Sequence, residues 1–319
     1  MNIGILAQPD SYYARDLQRA ARERNHQVHL LSFADLASLV SPPQEISSPH
    51  GSSSGDTRFH ARQAVDATGQ RFEELPRPFD LTTLDLLLVR TMPPGTLEQV
   101  VFRMNLLCLL AERGVRVVNP PKSLECAVDK YLTTVRLMAA GLPSPPTWTC
   151  ETCSAALEAF EQSGGDVVVK PLFGSEGRGI VRVSDRDLAD RTFRTLERLG
   201  AVLYLQRFIP HGGCDLRIMV LRGRVLGAMQ RSNPTDFRTN VSRKGTSSVV
   251  QATDLQCEWA IRAAQAVGAE IAGVDLLRDQ HTGEEYVIEV NAVPGWKAFR
   301  ATTGIDVAGR LLDELQRGT

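Results

Sequence analysis

"EYVIEVNAVPGWKAF", residues 285–299, places Glu289 and Asn291 two apart on a strand-like run that a Pro-Gly turn then stops. Positions i and i+2 of a strand face the same side, so a carboxylate and an amide oxygen point together into one space. An earlier run, "AGVDLL" (272–277), carries Asp275, and the turn "QHTGEE" (280–285) separates the two. If the runs pair as a hairpin, three oxygen donors meet on one face, a set suited to Mg²⁺ or Mn²⁺ when phosphates and water complete the shell. Polar residues alternating outward on a half-exposed sheet have the same spacing. The abrupt stop at "NAVPG" (291–295) favours a site at the strand end.

Further out, "KPLFGSEGRGI" (170–180) ends a β-branched strand on Lys170 and opens a loop holding Gly174, Gly177 and Gly179. Glycines let backbone N–H groups converge on phosphate oxygens with no Cβ in the way, and a lysine adds a point charge. A Gly-rich hairpin with a surface lysine accounts for the same residues. The loop lacks the GK[ST] ending of a Walker loop and returns to a strand instead of opening a helix, which sets aside two common nucleotide folds. "CDLRIMV" (214–220) puts Asp215 and Arg217 on one strand face, followed by Arg231 and by "DFRTNVSRKG" (236–245). Such a face is often solvated surface. Several cations and Asn240 across a hairpin also suit a transferred phosphoryl group and a developing oxyanion.

The rest of the chain frames these motifs. With 36 basic and 37 acidic residues among 319, no global field argues for nucleic acid or a membrane surface. The longest apolar runs, such as "LDLLLV" (84–89), fall far short of the roughly 20 residues that span a bilayer. "MNIGILAQPD" reads as an opening strand rather than a signal peptide, and six scattered cysteines form no disulfide framework, so cytoplasm is the expected compartment. "CETC" (150–153) has zinc or redox spacing but no second pair, and the six histidines show no ligand spacing.

"NIGILA" (2–7) and "HQVHLLSF" (26–33) bracket a helix from about Tyr12 to Arg24, a βαβ opening. Residues 41–79 turn to Ser, Pro, Gly and Gln with little periodicity and read as a partly disordered loop insertion. Strand 84–90, helix 96–113 and strand 115–118 close a first α/β domain near Pro121. A helix from Asp129 stops at Gly141 before a Pro-rich linker. Strands at 166–171, 179–183, 201–209, 214–231, 270–279 and 285–291 then build a larger α+β region, with a tight hairpin on Arg222-Gly223.

Together these pieces resemble the ATP-grasp superfamily, and within it the ribosomal-S6-modification (RimK) type of carboxylate–amine ligase, over about residues 80–310. The resemblance implies a three-part α/β and α+β fold. Its parts are a pre-ATP-grasp domain (1–121), a lid subdomain (about 145–208) and a C-terminal subdomain (209–319) within an ATP-grasp region (122–319). It implies ATP and two Mg²⁺ or Mn²⁺ ions. By the family pattern, Lys130 of "VDKY" and Lys170 contact the nucleotide, and Gln206, Arg207 and Phe208 of "LQRFI" form the adenine hinge. Arg207 departs from the usual glutamate. Asp215 matches an acid near the ribose, and Arg217, with Arg231 nearby, the arginine that steadies an acyl phosphate. Arg238, Thr239 and Asn240 lie near the phosphates, although Lys244 replaces a family glycine; Asp275, Glu289 and Asn291 match the metal trio.

The reaction so implied moves the γ-phosphoryl group to a carboxylate, after which an amine displaces phosphate to leave an amide and ADP. "VRTMPPGTLEQVVFRM" (89–104), "NPP" (119–121) and "NAVPGWKA" look like the branch that joins glutamate to tetrahydromethanopterin-type carriers. Related branches act on a small acidic carrier protein or a ribosomal protein tail. Trp296 and Lys297 either line the acceptor pocket or are a packing Trp beside a surface Lys. Similar proteins form homo-oligomers, for which no interface is legible here. A regulator of the same fold without turnover is a competing reading, and it has no need of both metals and the acyl-phosphate arginine.

Overall fold

Runs of β-branched residues alternate with amphipathic helices through both halves of the protein, and each helix-to-strand switch is marked by a cap or a glycine. The computed structural model describes residues 1–41, 56–61, 79–174, 177–239 and 245–317. They divide into two units, Met1–Lys122 with Asp306–Thr319, and Ser123–Ile305. Among the described residues no helix is long and apolar enough to cross a membrane.

The first unit opens with β1 (Asn2–Leu6), α1 (Tyr12–Arg22) and β2 (Gln27–Leu31). It continues through β3 (Leu36–Ser41), β4 (Asp56–Ala61), β5 (Phe79–Asp80), β6 (Leu86–Val89), α2 (Leu97–Glu112) and β7 (Arg116–Val118). Strands β2-β1-β6-β7 form a wholly parallel sheet, which explains why they read as unbroken apolar runs: both faces are covered. Gly4 fits tightly at its centre, where a Cβ would lie 2.7 Å from Leu84 Cδ1 and 2.8 Å from Leu87 Cδ1 and would force those side chains to shift. The Ser11 hydroxyl caps α1 by accepting the Ala14 N–H at 3.1 Å, and Thr96 with Gln99 forms a capping box on α2.

Two expectations change here. Within 41–79, expected as a loop, Asp56–Ala61 forms β4 and pairs antiparallel with β3 and β5, with Phe59 and Ala61 buried. Its alternation spans too few positions to stand out from the Ser/Gly-rich flanks; 42–55 and 62–78 lie outside the described residues. Residues 306–317, expected in the C-terminal subdomain, belong to the first unit. The helix Val307–Gln316 buries Leu311, Leu312 and Leu315, and ion pairs Arg19–Asp306 (2.6 Å) and Arg24–Asp313 (2.6 Å) tie it to α1.

Helix α3 (Pro121–Val128) crosses the boundary into the second unit, followed by α4 (Lys130–Ala139), β8 (Thr147–Cys150), α5 (Cys153–Gln162) and β9 (Val167–Lys170). Then come β10 (Val181–Val183), α6 (Arg186–Arg198), β11 (Leu203–Arg207), β12 (Cys214–Leu221), β13 (Arg224–Ser232) and β14 (Thr246–Val250). Helix α7 (Asp254–Ala266), β15 (Ile271–Arg278), β16 (Glu285–Asn291) and α8 (Lys297–Thr303) complete it before the terminal helix, α9. Gly141, at φ +69°, ends α4 as expected, and Arg222 (+46°) and Gly223 (+74°) make the expected tight hairpin between β12 and β13.

This unit holds two antiparallel sheets. In β10-β9-β11-β8, helices α5 and α6 cover one face through Phe160, Phe193, Val167 and Leu205. In β14-β13-β12-β15-β16, Ile218, Val220, Val274, Val287 and Val290 pack against Leu137 of α4 and Ala260, Ala263 and Ala264 of α7. Period-2 alternation then sends Asp215, Arg217, Asp275 and Glu289 to the opposite face. Trp296 is fully buried and therefore packs in the core, while Lys297 beside it is exposed.

Leu312, wholly buried on α9, tests whether the C-terminal helix is integral to the first unit. Leu312→Ala is expected to cost about 2–5 kcal/mol, read as a lower urea midpoint at unchanged slope; an unchanged midpoint contradicts the packing.

Candidate active site

Register across the larger sheet builds a row of charge. Asp215 lies opposite Arg231, Arg217 opposite Asp275, Asp275 opposite Glu289, and Gly273 opposite Asn291. Directly paired residues of antiparallel strands point to the same face. The Arg217 guanidinium grips Asp275 with two hydrogen bonds of 2.5 Å, from Nε to Oδ1 and from Nη2 to Oδ2. Arg231 donates from Nε to Asp215 Oδ1 at 2.7 Å and from Nη2 to Asp215 Oδ2, and its Nη2 also lies 3.0 Å from Asp275 Oδ2. The Thr239 hydroxyl adds a 2.5 Å bond to Asp215. All five residues are buried.

Two guanidiniums and two carboxylates thus sit out of water in alternating order. Burial works against the charge on Arg231, yet Asp275 and Asp215 hold its pKa well above the ordinary range. Burial likewise opposes ionisation of Asp275, and Arg217 and Arg231 outweigh it, keeping the carboxyl below its usual value. A Cβ at Gly273 would stand 3.2 Å from Pro294 and 3.4 Å from Arg217 Cδ, so the missing side chain leaves room for the arginine.

A β-bulge brings Ile288 beside Glu289 on this face, where both line a pocket. The β15–β16 register shifts after Asp275, which opposes Glu289 while Leu276 opposes Val287, leaving Ile288 unmatched. The shift lets Val287 and Val290, three apart, both enter the helix-covered core. Consecutive residues Ile288 and Glu289 then line one pocket with Lys130, Lys170, Pro171, Gly174, Gly177, Arg178 and Ile180. Gly174 (φ +157°), Gly177 (+67°) and Gly179 (+72°) hold backbone conformations that side chains disfavour, and the Gly174 carbonyl accepts from Lys130 Nζ at 3.0 Å. Burial pushes the Lys170 ammonium down to about 8, against the pull of Glu289, and burial lowers Lys130 too.

The remaining expected residues are placed differently. Gln206 is buried and accepts from Lys170 Nζ at 2.7 Å. Arg207 donates to the Tyr286 hydroxyl at 3.2 Å. Phe208 carries the Arg182 guanidinium over its ring at 3.5 Å. Arg238 is bound by Asp236 at 2.6 Å and stays outside the row that Thr239 joins. Asn240 and Lys244 lie outside the described residues. Cys150 and Cys153 are unpaired thiols, and among the described residues no group of three His, Cys, Asp or Glu is placed to hold a metal. Asp275, Glu289 and Asn291 are instead two carboxylates and an amide on adjacent strands, a hard-oxygen set of the composition that Mg²⁺ takes together with phosphates. Sequence reasoning missed Ile288, which simple alternation assigns to the other face, and did not single out Arg178 and Ile180, which lie within the glycine loop 170–180.

A family profile described as RimK-like ATP-grasp domain matches residues 127–315. The tetrahydromethanopterin:alpha-L-glutamate ligase of Methanosarcina acetivorans is 32% identical, covering 98% of this chain and 98% of that protein. A probable alpha-L-glutamate ligase of a Shewanella species is 30% identical over 99% of this chain and 96% of its own length. Among solved structures, the ATP-grasp ligase PsnB complexed with a minimal precursor superposes with a TM-score of 0.70 at 22% identity, covering 100% of this chain and 99% of that one.

Two outcomes follow from the geometry. Arg231→Ala leaves the buried Asp215 carboxylate without its guanidinium and is expected to cost about 3–5 kcal/mol in urea unfolding, whereas an effect below about 1 kcal/mol would mean that the row is solvated. Lys170 releases its proton near 8 in the fold and near 10.5 when unfolded, so the unfolded chain binds the extra proton between those values. The penalty is full below about pH 8, and stability rises with pH to 10.5; Lys170→Met is expected to remove the share of that slope due to Lys170 and leave the share due to Lys130.

Proposed function

The chain belongs to the RimK-like ATP-grasp family and is an ATP-grasp ligase, and from that premise we propose that it joins L-glutamate to a small acceptor of the tetrahydromethanopterin type. The observation that carries this reading is the convergence of Lys130, Lys170 and Glu289 on one pocket, in register with the Asp275–Arg217 pair. The likeness to the Methanosarcina ligase, 32% identical over 98% of the chain, supports this choice of acceptor. The six thiols, none in a disulfide, fit action in the cytoplasm.

In this reading the two lysines and the Gly174–Gly179 loop bind the phosphates of ATP. Asp275, Glu289 and Asn291 would hold Mg²⁺, two ions by the family pattern, and that charge would neutralise the equatorial phosphoryl oxygens. A substrate carboxylate takes the γ-phosphoryl group as ADP forms; the amine then displaces phosphate to give the amide. Asp275 engages Nε and Nη2 of Arg217, which fixes the guanidinium plane and leaves Nη1 to steady the oxyanion. Arg231, held by Asp215 and Asp275, backs this arrangement without reaching outward. Asp215 is engaged by Arg231 and Thr239, so its effect near a ribose is exerted through that pair.

A second acceptor class, a carrier protein or ribosomal-tail peptide, has its own support, because the PsnB fold neighbour was solved with a precursor. ADP release with Mg²⁺-ATP and L-glutamate, followed by product mass, separates the two. One glutamyl unit on the pterin supports the small acceptor, glutamylation of a peptide alone overturns it, and no acceptor-dependent release across the panel removes glutamate as well. Glu289→Ala is expected to lower kcat on the order of 10²-fold or more with the fold retained, and Asp275→Asn to lower it as far with an added loss of stability, since it leaves Arg217 and Arg231 buried beside a neutral amide. Arg217→Lys is expected to bind ATP and turn over slowly, since an ammonium lacks the planar fork; near-normal rates in all three would refute the site.

A further inference from the structure

A chain of hydrogen bonds behind the pocket connects the two segments that carry its lysines. Gln206, buried on β11, accepts from Lys170 Nζ at 2.7 Å through Oε1. Its Nε2 donates to Thr147 Oγ1 at 3.1 Å on β8 and to the Tyr204 hydroxyl at 3.3 Å. Tyr204, itself buried, passes the chain on through its hydroxyl to Thr134 Oγ1 at 2.8 Å on α4, the helix that Lys130 begins. The Lys170 ammonium also lies 6.0 Å from the Tyr204 ring centroid.

These contacts use the carbonyl and both N–H groups of the Gln206 amide. Flipping the amide would turn its NH₂ toward an ammonium, so Lys170 and Tyr204 together set one orientation. The side chain faces inward and has no donor left for a purine edge. We propose that Gln206 is a positioning residue for Lys170, held in place by Tyr204 and Thr147, and that its side chain does not contact the base of a bound nucleotide. Only its backbone and its neighbours then meet the base, and Gln206 acts on the phosphates through the lysine. This rests on the reading of the pocket as a nucleotide site.

The test compares ATP with adenosine, which has the base and no phosphates, by calorimetry and competition on the full chain. Gln206→Leu is expected to weaken ATP about tenfold, the loss of one charge-assisted hydrogen bond, and to leave adenosine within about twofold. Tyr204→Phe is expected to act in the same direction by about threefold, which supplies a second reading if the leucine variant fails to fold. Equal losses for adenosine and ATP, or no loss for either, overturn the proposal. A wild-type chain that binds ATP and ligates nothing ends the functional reading but leaves this comparison intact. One that binds no ATP overturns both.

Discussion

Two guanidiniums and two carboxylates buried side by side on one sheet face are the constraint to which the second unit is built. Desolvating any one of them alone is costly, and the alternation Arg231, Asp215, Arg217, Asp275 makes each charge the condition for burying the next. The pairs form only if β12 meets β13 and β15 in this register. A one-residue slip would send every member into the apolar helix-covered face. The other face enforces the same register, because Ile218, Val220 and Val274 must reach α4 and α7. Packing and electrostatics therefore select one alignment of the sheet.

Regular alternation stops within β16. Val287 and Val290 enter the core together because Ile288 bulges, and the same bulge keeps Glu289 opposite Asp275, where it lines the pocket with Lys130 and Lys170. Two half-buried ammoniums facing one carboxylate leave local positive charge, which fits a polyanion such as a phosphate chain. Burial loosens the protons of both lysines, and the buried amide of Gln206 keeps one of them aimed. The glycines across the loop contribute shape rather than charge, for their backbone angles would strain any other residue.

Much of this was legible in the chain itself. The spacing of Glu289 and Asn291 and the position of Asp275 determined that three oxygen donors share a face once the hairpin forms, because side-chain direction in a strand has period two. Gly141, the Arg222-Gly223 turn and the apolar parallel strands of the first unit were equally local in origin, and so equally readable. Strand β4, with two buried positions amid Ser and Gly, was too short to register as periodic.

Tertiary structure alone decided the partners. Asp215 faces Arg231 rather than open solvent, Arg207 turns to Tyr286, Trp296 enters the core, and α9 returns to the unit that opens the chain. Each of these depends on pairings between residues far apart in sequence, whose cost and reward are set by burial. Composition and spacing along one strand determine which groups share a face, and only the packed sheet determines which of them lose their water and must therefore pair.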